Sequence, residues 1–139
     1  MQVTFCVPGE PKGKGRPRFT RNGRVYTPAD TIRYERLVQL AYDEAVGDLI
    51  FASPVKVVIE AIHKPPKGKS KKVVADMLSG HILPTKKPDA DNVAKIILDA
   101  LNGVAWHDDT QVVEMAVSKH YGVEAEVWVT VEEITAQRC

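Results

Sequence analysis

Apolar and polar residues alternate along four segments of the chain, a pattern that predicts β-strands. The segments run from Gln2 to Val7, from Val55 to Ile62, from Gln111 to His120 and from Glu124 to Glu132. The last two are joined only by Tyr121-Gly122-Val123. Because so short a connection is typical of adjacent antiparallel strands, the sequence predicts that these two strands form a hairpin.

Two other segments have apolar residues at helical spacing. The first begins at Thr27-Pro28, with Thr27 as the expected N-cap and Pro28 in the first helical position, and ends at Gly47. The second runs from Asp91 to Leu101 and ends at Asn102-Gly103. The apolar residues that recur in the first helix are Ile32, Leu37, Leu40, Ala41 and Ala45.

The order of these elements is β-α-β-α-β-β, interrupted by two long segments. Gly9 to Arg24 is rich in glycine, proline and basic residues and is expected to be a flexible loop. Lys64 to Lys87 is an insertion in which we expect one short helix around Lys71 to Leu78. We therefore predict one α+β domain over residues 1–139, a mixed four-stranded β-sheet with helices packed on it.

Charge is distributed unevenly although the net charge is only +1. Residues 1–38 and 64–87 together hold 15 of the 19 basic residues, whereas residues 88–134 hold ten acids and two lysines. This pattern suits a protein that meets a polyanion and holds cations, although lysine-rich loops that are merely solvated would give it too. With no signal peptide or membrane-spanning segment in the sequence, we expect a cytoplasmic protein, encoded by a bacterium or a phage.

Five aspartates are concentrated between Lys86 and Val113. Asp89 and Asp91 lie at the start of the second helix, where one acid would be expected as a cap but two are more than capping needs. The inward residues of that helix leave Asp91, Lys95 and Asp99 together on the other face, with Leu98 beside them. A solvated salt-bridge ladder is the alternative interpretation of these three charges.

The pair Asp108-Asp109 follows the helix after a short loop. If that loop returns the pair to the helix N-terminus, three or four carboxylates converge, and they need a cation to stay ionised together. Oxygen ligands without cysteine favour magnesium or manganese over zinc. His107 is a further candidate ligand, but a lone histidine there is more simply a hydrogen-bonding residue.

The string KKPDADNVAKIILDALNG, followed by W-x-D-D-x-Q-V-V, resembles the signature of RusA-type Holliday-junction resolvases. The matching positions are Asp89, Asp91-Asn92, Lys95, Leu98–Leu101, Asp108-Asp109 and Gln111–Val113. The element order fits this family as well, so the resemblance covers nearly the whole chain. The basic loop at 9–24 and the insertion at 64–87 look longer than the family minimum, which leaves the path of the DNA open.

The resemblance implies a magnesium-dependent endodeoxyribonuclease that resolves four-way junctions by paired symmetric nicks during DNA recombination and repair. It implies a homodimer, with Mg²⁺ (or Mn²⁺ in its place) held by Asp89, Asp91 and one of Asp108 and Asp109, of which position-by-position matching favours Asp109. Lys95 is the basic residue implied for the same catalytic site. Beyond that site, the residues expected to contact DNA are Lys12, Lys14, Arg16, Arg18, Arg21, Arg24, Lys86, Lys87 and Asn92.

Two other functions remain open at this point. Asp-x-Asp also occurs in glycosyltransferases that bind manganese and a sugar nucleotide, but 139 residues without a nucleotide-binding βαβ unit make this a poor match. A junction-binding module with a purely structural acidic cluster is the alternative that is not an enzyme. For Leu98, insertion between base steps and burial in a dimer interface are both consistent with the sequence.

Overall fold

The computed structural model describes residues 1–15 and 18–135, and its elements follow the predicted β-α-β-α-β-β order. Four strands form one sheet, in the order β1-β6-β4-β5. Two further strands form a small hairpin that begins inside the segment expected to be a flexible loop and ends just after it. The strands are β1 (Gln2–Pro8), β2 (Arg18–Phe19), β3 (Val25–Tyr26), β4 (Val55–His63), β5 (Val112–Tyr121) and β6 (Glu126–Glu133), and the helices are α1 (Ala29–Ala45), α2 (Lys71–Ser79) and α3 (Ala90–Leu101).

The predicted hairpin between the last two strands is wrong. β6 pairs antiparallel with β1 on one side and with β4 on the other, while β5 pairs with β4 in parallel at the edge of the sheet. Parallel pairing of β4 and β5 is possible because α2 and α3 lie between them in the chain. This long connection returns the chain from the end of β4 to the level at which β4 began. β4 is buried at every second residue, as expected of a strand with one face packed on the core.

The chain crosses from β5 to β6 over the end of β4. The amide of Gly122 donates to the carbonyl of His63 at 2.9 Å, which fixes the crossing point. A Cβ on Gly122 would lie 2.5 Å from Cγ2 of Ile62, so a side chain at this position would collide with β4. Four residues thus span one intervening strand, and a sequence pattern that detects only short connections cannot distinguish this from a hairpin.

α1 begins one residue later than predicted and buries a different face. Pro28 is its N-cap, and no side chain caps the helix. Ile32 and Leu40 belong to the apolar residues that recur at helical spacing in the sequence, but they are 43% and 53% exposed. The buried residues are instead Thr31, Tyr34, Val38 and Tyr42.

The two tyrosines account for the change of face in α1. An aromatic ring buries more apolar area than a smaller aliphatic side chain, so it determines which face packs inward. The ring of Tyr42 meets that of Phe5 edge to face at 5.4 Å, and its hydroxyl donates to the carbonyl of Leu49 at 2.6 Å.

The helix over 90–101 confirms the sequence prediction in detail. Its inward residues Val93, Ile96, Ile97, Ala100 and Leu101 are completely buried. α2 also lies where the short helix was expected, capped by the hydroxyl of Ser70, which accepts from the amide of Val73. Over the described residues, none of the helices has the length and apolar character needed to cross a membrane.

α1 and α3 contact each other and pack on the same side of the sheet. The core side chains of β4 are Val55, Val57, Ile59 and Ala61, so its alternate residues face the other side. On that side the strands carry the acids Glu60, Glu114, Glu126 and Glu132. A polyanion would be repelled there, which leaves the helical side and the edges of the sheet for any contact with DNA.

Candidate active site

The two aspartates of the Asp-x-Asp motif lie at the N-terminus of α3. Asp89 is the N-cap, with extended backbone, yet its carboxylate makes no capping hydrogen bond. Asp91 lies in the first helical turn, exposed, and its Oδ1 accepts from the amide of Asn92 at 3.0 Å. Capping therefore does not account for the carboxylate of Asp89, which is free to bind a ligand.

A groove of about 240 Å³ runs along α3 beside the start of β5, and we call it the α3–β5 groove. Lys95 and Asp99 face each other on its floor, with Lys95 Nζ 3.5 Å from Asp99 Oδ2. The groove therefore combines acids with one cation. Its lining residues are Asp91, Ala94, Lys95, Leu98, Asp99, Asp109 and Met115.

Asp109 is held in this groove by hydrogen bonds from two neighbouring elements. The indole nitrogen of Trp106, which is completely buried, donates to Asp109 Oδ1 at 2.8 Å. The side-chain oxygen of Asn102, the C-cap of α3, accepts from the amide of Asp109 at 3.1 Å. One carboxylate oxygen is therefore fixed by the core, which orients the carboxylate toward a ligand.

Asp108 has a different environment. It caps the single 3-10 turn Asp109–Gln111, and its Oδ1 accepts from the amide of Thr110 at 3.4 Å. Gln111 completes the cap, since its Oε1 accepts from the amides of His107 and Asp108. The structure gives Asp108 a local structural role and favours Asp109 as the residue that faces the groove.

The expected convergence of the carboxylates is not found within one chain. Asp91 lies in the first turn of α3, whereas Asp109 is bonded to the residue that ends the helix, eleven residues later. Asp91 and Asp109 line the same groove, but Asp89 lies outside it and lines a separate cavity. Accordingly, no three acids, cysteines or histidines among residues 1–15 and 18–135 are close enough to hold a metal ion.

Asp89 faces a second cavity, of about 500 Å³, lined by Gly13, Lys14, Lys87, Pro88, Asp89 and Asn92. The donor chemistry of these acids suits magnesium, because hard cations prefer carboxylate oxygens. The arrangement in a single chain does not complete a metal site. The loop after α3 thus turns back at the C-terminal end of the helix, contrary to the expectation that it reaches the N-terminus.

The residues expected to contact DNA are in different environments. Lys12, Arg21, Arg24, Lys86, Lys87 and Asn92 are all exposed. Lys14 is different, because its Nζ lies 2.7 Å from Glu35 Oε2 and 3.1 Å from Asp99 Oδ2 and its side chain is only 20% exposed. Arg16 and the side chain of Arg18 lie outside the described part of the chain.

Lys86 lies at the end of the sheet, close to a buried histidine. Its Nζ is 5.9 Å from the centre of the Tyr121 ring, and its carbonyl accepts from Lys119 Nζ at 2.6 Å. His63 is 1% exposed, with Nδ1 3.3 Å from Glu10 Oε2. Desolvation and the neighbouring Lys86 lower the pKa of His63, so it is neutral at physiological pH despite the nearby carboxylate.

Sequence reasoning gave no role in the site to three residues that build it, Trp106, Asn102 and Gln111, although Gln111 was among the positions matched to the family signature. Each has an ordinary sequence explanation, as a core residue, a helix terminator and a strand residue. The spacing Trp106-x-x-Asp109 could have indicated this contact. An indole nitrogen can only donate, so a buried tryptophan needs an acceptor nearby.

Comparison with known proteins adds two findings. The family model described as endodeoxyribonuclease RusA matches residues 8–132. A relative from Bacillus subtilis (strain 168), uncharacterized protein YqaN, is 37% identical over 139 residues, covering 96% of this chain and 98% of the relative. The family match takes in the Asp-x-Asp motif, the groove, β4, β5 and nearly all of β6, and the chain belongs to the RusA endodeoxyribonuclease family.

Proposed function

We propose that this protein is a magnesium-dependent endodeoxyribonuclease that resolves four-way DNA junctions by paired symmetric nicks, in DNA recombination and repair. The observation that carries the proposal is the hydrogen bond from buried Trp106 to Asp109, which fixes a carboxylate in the groove that also contains Asp91 and Lys95. A structural acidic cluster would not need a carboxylate held by the core and pointed at an open groove.

In this proposal Asp89, Asp91 and Asp109 are the metal ligands, with Asp108 in a supporting position. When bound, Mg²⁺ (or Mn²⁺) would lower the pKa of water and offset charge on the phosphate. Lys95 is 63% exposed over the groove, where its ammonium would stabilise the negative charge that develops on the phosphorus-bound oxygens. Asp99 would keep that ammonium beside α3.

We also propose that the protein acts as a homodimer. A four-way junction has two equivalent strands to cut, and two-fold related copies present two equivalent sites. β5 suits the contact, because it is an edge strand of ten residues with Val113 and Met115 57% and 48% exposed. An unpaired strand edge with exposed apolar side chains is a template for pairing with another strand.

Antiparallel pairing of two β5 strands would also complete the metal site. Asp109 precedes the start of β5, whereas α3 begins near its end, where Lys86 lies over Tyr121. Pairing in opposite directions brings the start of one strand near the end of the other. The partner's Asp109 would thereby approach Asp89 and Asp91, and Asp89 lies outside the groove that the Asp109 of its own chain lines.

Mixing two inactive variants tests the shared site. If Asp91 and Asp109 act across the dimer, a heterodimer of Asp91→Asn and Asp109→Asn has one site with both substitutions and one with neither. The mixture should then recover nicking that neither variant has alone. If both residues act within one chain, each site in the heterodimer has one substitution, and the mixture stays inactive.

The function itself is tested on an end-labelled four-way junction beside a linear duplex of the same sequence. We expect symmetric nicks near the crossover in Mg²⁺, no cleavage in EDTA, and little cleavage of the duplex. Binding without cleavage in Mg²⁺ and in Mn²⁺ would instead make the protein a junction-binding module. The cytoplasmic location stays a prediction.

A further inference from the structure

Lys14 lies between two acids of different helices. Its Nζ contacts Glu35 of α1 at 2.7 Å and Asp99 of α3 at 3.1 Å, and all three side chains are less than 30% exposed. Burial alone would lower the pKa of Lys14, but the hydrogen bonds to Glu35 and Asp99 outweigh it, and the pKa lies above its usual 10.5. The charge of Lys14 is thus satisfied inside the protein.

The backbone around Lys14 is fixed as closely as its side chain. The amide of Lys14 donates to the carbonyl of Asn92 at 3.0 Å, in the first turn of α3. A Cβ on Gly13 would lie 2.9 Å from Cβ of Pro88, so the loop passes tightly beside the segment that carries Asp89. The amide of Gly15 donates to the hydroxyl of Thr31 in α1. Residues 13–15 of the basic loop therefore connect α1 with α3, and we call them the strap.

Asp99 connects this strap to the groove. Its Oδ2 is the atom that contacts both Lys14 and Lys95, at 3.1 and 3.5 Å. The four charges of Glu35, Lys14, Asp99 and Lys95 therefore form one neutral chain from α1 to the groove. A long, exposed lysine such as Lys95 has many rotamers, and a fixed carboxylate beside it reduces the number that it samples.

We infer that Lys14 is a positioning residue for the cleavage reaction and not a contact to DNA. It holds Asp99, through which it orients Lys95 over the groove, and it anchors the N-terminus of α3 beside Asp89. This inference rests on the proposed nuclease function. It separates Lys14 from its neighbour Lys12, which is exposed and has no ion-pair partner within the described residues.

Kinetics and salt dependence of junction binding distinguish the two roles. Lys14→Met keeps the aliphatic stem and removes the charge. We expect kcat to fall at least about tenfold, since small misplacements of a catalytic group are costly, with KM and the salt slope of binding unchanged. The matched control Lys12→Met should lower the slope by about one.

Two further variants keep the test decisive if Lys14→Met is unstable. Lys14→Arg retains the charge that bridges the two acids and should restore most of kcat. Glu35→Gln leaves Lys14 charged but frees it from α1. A positioning role predicts a lower kcat with an unchanged salt slope for Glu35→Gln, whereas a DNA contact predicts a steeper salt slope, because the released lysine can reach phosphate.

The inference is overturned if Lys14→Met lowers the salt slope as Lys12→Met does, if its kcat is unchanged, or if Glu35→Gln steepens the salt slope. Lack of cleavage by the unsubstituted protein is a separate result, because it refutes the nuclease function. The salt slopes of Lys14→Met and Glu35→Gln then still decide whether Lys14 contacts DNA.

Discussion

The indole nitrogen of Trp106 donates to Oδ1 of Asp109 over 2.8 Å, and this bond joins the hydrophobic core to the candidate active site. Trp106 is completely buried, so its orientation is set by packing and is not free to adjust. The hydrogen bond therefore fixes the orientation of the Asp109 carboxylate as well. Replacing a residue that orients a metal ligand typically costs about ten- to a hundredfold in metal affinity or activity.

Replacing Trp106 by Phe removes the donor and keeps most of the aromatic volume. We expect cleavage of a four-way junction at limiting Mg²⁺ to fall by about ten- to a hundredfold, and higher Mg²⁺ to recover part of the loss. The matched control is Trp128→Phe, on β6, where the side chain is 38% exposed and does not line the α3–β5 groove. Equal effects of the two substitutions would show that Trp106 acts through stability alone.

The sequence predicted α3 and both ends of the acidic motif because their signals are local. The 3.6-residue period fixes the buried face of a helix, so Val93, Ile96 and Ile97 could be assigned without the fold. The position of Asp109 relative to Asp91 could not be predicted in this way. That position depends on the end of α3 beside which the following loop packs. The side-chain amide of Gln111 holds this loop in place by donating to the carbonyls of Phe51 and Ser53, which are far away in the sequence.

Arg21 and Arg24 are expected to contact phosphate. They lie, exposed, in the turn between β2 and β3, and this hairpin also exposes Phe19. Replacing both arginines by alanine should weaken junction binding and reduce the slope of log K against log salt by about one to two. Lys56→Ala is the control, because Lys56 lies on the acidic side of the sheet. An unchanged slope in the double variant would mean that these arginines are only solvated.

Leu98 is half-buried in the groove, beside Met115 of the edge strand. If it inserts between bases at the junction centre, Leu98→Ala should cut poorly and still form dimers. If it belongs to the dimer contact, the same substitution should shift the monomer–dimer equilibrium toward monomer. Sedimentation measured beside single-turnover cleavage separates these outcomes, and a variant that is normal in both assays would exclude both roles.

His63 predicts a pH dependence of stability. Desolvation is the main cause that lowers its pKa in the folded state below the usual 6.5, so the folded protein binds this proton less readily than the unfolded chain. Its contribution is therefore fully present above pH 6.5 and is lost as the pH falls toward the lower, folded-state pKa. The loss is at most about 1.4 kcal/mol per pH unit for one proton.

Urea unfolding between pH 7.5 and 5 measures that contribution. Wild-type protein should lose stability more steeply over this range than His63→Gln, which carries no titrating group at this position. The starting stabilities will differ, because a buried residue has been changed, so the comparison is between the slopes. Parallel slopes would show that His63 binds its proton equally in both states.

The strand order shows a second limit of sequence patterns. Alternation identified β4, β5 and β6, but their pairing depends on which strand edges are free when the helices have packed. β6 pairs between β1 and β4, and β5 takes the outer edge of β4. This arrangement places one of the two unpaired edges of the sheet, that of β5, beside the candidate site.

The central claim is that the aspartates of the α3–β5 groove form a metal-dependent nuclease site, and Asp91→Asn tests it most directly. This substitution preserves size and removes one negative charge. Single-turnover cleavage of a labelled four-way junction in Mg²⁺ should fall by orders of magnitude, because the metal site loses a ligand. Junction affinity measured in EDTA should stay the same or rise, because one charge that repels phosphate is gone. Cleavage by Asp91→Asn at close to the wild-type rate would contradict the account.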